Sequence, residues 1–314
     1  MTSLRRFSIV LLALLLAFGA AACGGDEDIA GVGGTIIKFS DVRDLYEDEP
    51  AIDDGFRETL FAKIALEALD QALSTEFGVT VDPEAVEAYF TQFEDSMNQA
   101  GRTPAELLGV ENASLELVRF NAELVALRDT ALEQLVVSPE IVDGLFADPA
   151  TLTRVCAKHI LVATLEEAEA ARTRLTAGED FAAVATEVSL DTQSEGGDLG
   201  CTLASDYVDE FAQAALTAPL NEVTGPVESS FGFHLIVVSE RTVPTRVEYL
   251  AAPWETLSSS AATLIWSNWI TEVLAASDIW VAEAYGIWTP ESILPPASET
   301  TTTTGAETTT TTSG

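Results

Sequence analysis

Histidine and cysteine are scarce in this chain, with two of the first and three of the second among 314 residues. Two histidines without a neighbouring ligand cluster fall short of zinc coordination, so no metal is expected. Basic residues are few as well: 15 Lys and Arg stand against 51 Asp and Glu, a formal net charge of −36. Such a field repels nucleic acid and anionic lipid head groups, and neither is an expected partner. The acidity needs no function of its own, because solubility or salt adaptation of a solvated surface accounts for it. A long apolar run is also missing. The best one, Phe7 to Phe18, is too short to span a bilayer comfortably.

What is present begins with a processing signal. Arg5 and Arg6 precede that short apolar run, and small residues Gly19 to Ala22 lead directly into Cys23. This resembles a bacterial lipobox, with residues 1–22 as signal peptide and Cys23 as the lipidated N-terminus of the mature chain. Ala20 departs from the commoner leucine, and an ordinary cleaved signal peptide is the alternative. Export makes the cysteine count informative: lipidating Cys23 leaves Cys156 and Cys201 as an even pair, expected to form a disulfide in an oxidising compartment, with two buried thiols as the alternative.

A hydrophobic fraction of 47% supports buried cores, and the length has room for two domains plus tails. Residues 23–31 read as an acidic tether. Residues 32–150 read as a helical module: a small hairpin at Val32–Phe39, a helix opened by Ser40 from Asp41, and then longer helices. Asp53 to Gly78 carries apolar residues at helical spacing, and Asp82-Pro83, Thr103-Pro104, Ser114 and Ser138-Pro139 each mark a helix start. No chemistry is visible there. Residues 243–290 hold a further amphipathic helix, too small to stand alone and expected to pack back onto the module. Residues 291–314, rich in threonine, read as a disordered tail.

Between these lies a segment of different character, residues 151–242. Arg154 to Val162 is strand-like and contains His159. Thr164 and Asp180 cap two helices, and Gly196-Gly197-Asp198-Leu199-Gly200 leads a short strand. A helix over about Asp209 to Leu216 precedes a closing hairpin that contains His234. The order predicts an α+β domain on an antiparallel-rich sheet.

Four motifs in this order, His159-Ile160-Leu161-Val162, Gly196-Gly197-Asp198-Leu199-Gly200, Gly225-Pro226-Val227 and Gly232-Phe233-His234, resemble parvulin-type peptidyl-prolyl cis/trans isomerases. With the helical flanks and the lipobox, the whole is similar to exported foldase and chaperone lipoproteins of the PrsA and SurA kind. The resemblance implies a parvulin domain inserted in an all-helical chaperone-like module. The implied activity is isomerisation of X–Pro bonds in unfolded or partly folded exported proteins, on the extracytoplasmic face of a membrane, without a cofactor. It places His159 and His234 as a paired-histidine floor and Asp191 at the position held by cysteine or aspartate, facing the twisting carbonyl or tuning the histidines. Leu199, Tyr207 and Phe211 fall on the proline pocket, Ser229 beside the second histidine, and Phe231 on the pocket wall. Cys201-Thr202 replaces the family's aromatic pair, and Phe231 stands where a small residue is frequent, so a holdase with a degenerate isomerase domain is the alternative function. Some relatives read phosphoserine–proline through arginines in the loop after the first strand. Here that loop carries Glu166 and Glu167, and phosphate dependence is not expected.

Overall fold

A computed structural model describes residues 26–296. The predicted signal peptide, Cys23 and the threonine run from Thr300 lie outside the described residues.

The chain opens with strands β1 (Asp28–Val32) and β2 (Thr35–Lys38), joined across Gly33 and Gly34, and helix α1 (Phe39–Arg43). Helices α2 (Asp54–Phe77), α3 (Pro83–Ala100), α4 (Pro104–Leu108), α5 (Leu115–Leu135), α6 (Pro139–Ala147) and α7 (Pro149–Leu152) follow. Local chemistry sets their ends. Side chains of Asp53, Asp82, Thr103 and Ser114 accept first-turn N–H groups, and Gly78, Gly101 and Gly109 close three helices in the left-handed conformation.

The central domain comprises β3 (Arg154–Val162), α8 (Leu165–Thr176), α9 (Phe181–Val188), β4 (Asp198–Leu203), α10 (Asp209–Thr217), β5 (Val223–Ser229) and β6 (Gly232–Thr242). Its sheet is antiparallel throughout, in the order β4-β3-β6-β5. Alternation along the strands divides the residues between two cores. Val155, Ala157, Ile236 and Val238 pack on α10, whereas Ile160, Val162 and Leu235 pack on α8 and α9. Cys156 stands opposite Cys201 in the β3–β4 register, and the two are joined as a disulfide.

The chain then returns to the first module through α11 (Arg246–Ala251), α12 (Pro253–Thr256), α13 (Ser259–Ala276) and strands β7 (Ile279–Val281), β8 (Ile287–Thr289) and β9 (Ser292–Leu294). One core joins both ends of the described chain: Ile29, Phe56, Leu60 and Leu127 share it with Tyr249, Trp269 and Leu274. The Tyr249 hydroxyl donates to the Val136 carbonyl at 2.9 Å, and Trp269 Nε1 donates to Glu76.

Three boundaries differ from the sequence reading. The expected tether contributes β1 from Asp28, with Ile29, Ala30 and Val32 buried, because β7 pairs with it from some 250 residues away. The module, read as all-helical beyond a small hairpin, is therefore closed by a three-stranded sheet, β2-β1-β7. The chain also stays ordered past residue 291, where β9 buries Ile293 in the same core, and α1 starts at Phe39 rather than Asp41.

Candidate active site

The two histidines meet because of sheet register. His159 lies opposite Ile236 and Leu161 opposite His234, so the rings are diagonal neighbours on the face that carries α10. Both are buried, at 7% and 4% exposure. Their rings stack at 5.5 Å between centroids, with Nδ1 to Nδ1 at 3.3 Å. Phe211, from α10, meets both edge-on at 5.9 and 5.5 Å.

Two glycines allow the surrounding chain to close on this pair. Gly197 has φ +76°, and a Cβ there would stand 2.1 Å from the His159 carbonyl oxygen; Gly225, with φ +111°, would clash likewise with that of His234. The glycine motifs thus serve close backbone approach beside each histidine.

From the pair a hydrogen-bonded chain runs in both directions. His159 Nε2 lies 2.8 Å from Asp191 Oδ2, and Ser229 Oγ lies 2.7 Å from His234 Nε2. Asp191 also accepts from the Ser194 hydroxyl at 2.6 Å and the Gln193 N–H at 3.0 Å. Its carboxyl is held down at about 2, chiefly by the Ser194 hydrogen bond and next by His159. Burial pushes His234 down to about 4, helped by the adjacent His159. An ionised Asp191 only accepts, so His159 Nε2 carries a hydrogen. His234, held neutral, shares one hydrogen with His159 across the Nδ1 pair and another with Ser229 at Nε2. The Phe231 N–H donates to Ser229 Oγ at 3.1 Å and completes the chain.

Over this floor the structure brings Leu199 and Tyr207 against the core that holds Phe211, with the Tyr207 and Phe211 rings 4.5 Å apart. The result is an apolar shelf beside a polar row. The Tyr207 hydroxyl is buried with no hydrogen-bond partner among the described residues. Phe231 is placed differently: its ring is 63% exposed at the β5–β6 turn, and only its backbone joins the site. Sequence reasoning missed Ser189 and Ser194. Ser189 Oγ accepts from the N–H groups of Leu161 and Asp191, which ties the Asp191 loop to β3. The Ser-x-Asp-x-x-Ser spacing of residues 189–194, typical of hydroxyl- and Asx-type turns, was the available signal. Among the described residues no three His, Cys, Asp or Glu side chains cluster as metal ligands.

Residues 157–240 match the family model for the rotamase, PPIC-type PPIase domain. The foldase protein PrsA of Halalkalibacterium halodurans is 35% identical over 185 residues, covering 57% of this chain and 52% of that protein. The foldase protein PrsA of a Geobacillus species is 29% identical over 247 residues, covering 74% of this chain and 80% of that protein. The match thus spans about half the length of the first relative and four-fifths of the second. A crystal structure of PrsA from Bacillus cereus is similar at 20% identity, covering 82% of this chain and 95% of that one, with a TM-score of 0.49. Strand order, paired histidines and family match agree on one assignment: residues 157–240 are a PPIC-type peptidyl-prolyl isomerase domain of the parvulin family.

Proposed function

We propose that the protein is an extracytoplasmic foldase, tethered by lipid at Cys23, whose parvulin domain isomerises X–Pro bonds of exported chains. The observation that carries this reading is the hydrogen-bonded row Asp191–His159–His234–Ser229 beneath the Leu199, Tyr207 and Phe211 shelf. The uncatalysed barrier of about 18–20 kcal/mol reflects loss of amide resonance as the bond twists. A site lowers it by binding the twisted amide better than the planar one, without nucleophile or metal. The shelf suits the prolyl ring, and water excluded there strengthens any polar contact to the amide.

In this reading the histidines hold the polarity of the floor and are not proton shuttles. Of the two roles open to Asp191, its three hydrogen bonds support tuning the histidine pair, because they leave its carboxylate committed to Ser194, Gln193 and His159. It acts as a positioning residue. The extracytoplasmic placement is supported by the disulfide and by the PrsA relatives. No helix among the described residues is long and apolar enough to cross a membrane, and Cys23 lies outside those residues.

The test is refolding of a protein limited by cis-proline isomerisation, with the full chain carrying Cys23→Ser. The expected result is acceleration by catalytic amounts, reduced at least tenfold in His159→Ala or His234→Ala and less in Asp191→Ala. Unchanged refolding rates, with aggregation still suppressed, would leave a holdase and overturn the enzyme reading. Wild-type rates in a folded double-histidine variant would overturn the site.

A further inference from the structure

The parvulin site and the shared core leave one face of the molecule without a role, the outer side of the sheet β2-β1-β7. Register puts Ile36, Gly31 and Trp280 in one row across its three strands, on one side of the sheet. Their neighbours Ala30, Val32 and Ile37 point the other way and are buried in the core. Ile36 and Trp280 are left 44% and 43% exposed. Gly31 sets how the indole lies: a Cβ there would collide with Nε1 and Cε2 of Trp280, so the ring spreads over the middle strand. Among the described residues no hydrogen bond engages the indole N–H. Lys38 follows Ile36 on the same side and is exposed.

What stands opposite this row follows from where the chain leads. Strand β1 begins at Asp28, five residues after Cys23. Even fully extended, five residues span at most about 18 Å, and Gly31 stands about 10 Å further along the strand. An acyl group on Cys23 would therefore keep the row within about 28 Å of the bilayer surface. An indole with an apolar body and a free N–H suits the head-group zone, which is apolar on one side and wet on the other. A lysine beside it can lay its stem on the acyl boundary and its cation at lipid phosphate. Two half-exposed side chains would not hold a free protein on a membrane. A tether changes that, because it raises the local concentration of lipid until a weak contact is populated. Asp28 and Asp278 at the strand ends, within a net charge of −36, oppose an anionic surface, so the head groups that fit are zwitterionic.

We propose that the Ile36–Gly31–Trp280 face docks onto zwitterionic head groups of the membrane that holds the lipid anchor. The proposal rests on the lipid-anchor reading above; the geometry of the face does not. Docking gives the helical module a fixed orientation on the membrane, where a free tether would leave it tumbling.

The test uses the mature full chain, extracted with its anchor and placed in phosphatidylcholine vesicles that carry some nitroxide-labelled lipid, which quenches tryptophan at the head groups. Quenching is expected, and Trp280→Phe should remove at least half of it. Trp254→Phe, which deletes another half-exposed tryptophan on α12, should remove less than a fifth. Ile36→Ser should reduce the quenching at least twofold, and it carries the test should Trp280→Phe fail to fold; unchanged quenching in Ile36→Ser overturns the proposal. So does an absence of quenching in the unsubstituted chain, or an equal loss from Trp280→Phe and Trp254→Phe. A dimer of the Cys23→Ser chain that Trp280→Phe dissociates also overturns it, because a second copy would then cover the face. The mass of the N-terminal peptide separates the two readings. An acylated Cys23 without quenching removes the docking face alone, whereas an unacylated one removes anchor and face together; neither touches the refolding test.

Discussion

At the scale of single residues, the site's behaviour turns on which groups are charged. His234 is held neutral down to about pH 4, and Asp191 ionised down to about pH 2. Both shifts give stability the same pH dependence. Between about pH 6.5 and 4 an unfolded chain protonates its counterpart of His234 while the folded site does not, so stability falls with falling pH. From about pH 4 downward, Asp191 adds to the loss, because its lowered value favours the folded state only while it stays ionised. Each group contributes on the order of 2–4 kcal/mol across its window. We expect isomerase activity to be level from pH 8 to 5 and to fall with an apparent midpoint near 4, where His234 gains a proton and its contact with Ser229 or His159 reverses. Ring proton shifts of His234 through the same range check the assignment; a midpoint near 6.5 contradicts it. Tyr207 makes a second case. Its hydroxyl is buried without a partner, and such a group costs about 1–3 kcal/mol of desolvation. Tyr207→Phe should therefore raise the unfolding midpoint by several degrees while the ring keeps its contact with Phe211 and isomerase activity persists. A lower midpoint would show that the hydroxyl is satisfied in solution.

At the scale of elements, β4 is an edge strand that carries Leu199, two residues before the disulfide that fastens it to β3. The bridge spans 45 residues, and closing a loop of that length stabilises by about 3–4 kcal/mol. Cys156→Ser with Cys201→Ser should lower the unfolding midpoint of the central domain and reduce isomerase activity several-fold through a looser Leu199 wall. Dithiol treatment of the unmodified chain should reproduce both effects, and equal midpoints with and without the bridge would contradict them. The same region shows which features a sequence makes legible. The helices announce themselves locally: Asp53, Asp82, Thr103, Thr164 and Asp180 all occupy the capping positions their residue types suggest. The paired histidines are legible because strand alternation and the Gly-Gly-Asp-Leu-Gly motif are local too. The full extent of β1 is less so, because Asp-Ile-Ala-Gly-Val pairs with β2 nearby but has its second partner, β7, far along the chain. Ser194 escapes for a related reason: the Ser-x-Asp-x-x-Ser spacing marks a turn but does not show that the Ser194 hydroxyl will serve the Asp191 carboxylate.

At the scale of the whole molecule, the chain leaves one core after α7, builds a second domain, and comes back to finish the first. Eight buried side chains of that first core come from beyond the parvulin domain: Tyr249, Leu257, Ile265, Trp269, Val273, Leu274, Tyr285 and Ile293. Burying a large apolar side chain contributes about 1.5–3 kcal/mol, so together they are comparable to or larger than the roughly 5–15 kcal/mol by which a domain is stable. The parvulin domain, by contrast, draws its two cores from residues 155–238 and holds its own disulfide. The two units therefore depend differently on the segment after Thr242. A chain ending after Thr242 lacks β7, so β1 loses its second partner, and α13 no longer contributes Ile265, Trp269, Val273 and Leu274 to the shared core. We expect this truncated chain to lose the cooperative melting of the helical module while the parvulin domain keeps a separate transition and its proline isomerase activity. Differential scanning calorimetry beside a near-ultraviolet spectrum distinguishes the outcomes. One transition at the full chain's midpoint would mean that the module stands without its returning strand and helix, which its burial pattern excludes. No transition at all would mean that the inserted domain depends on the module that carries it, against the closure of its two cores within residues 155–238.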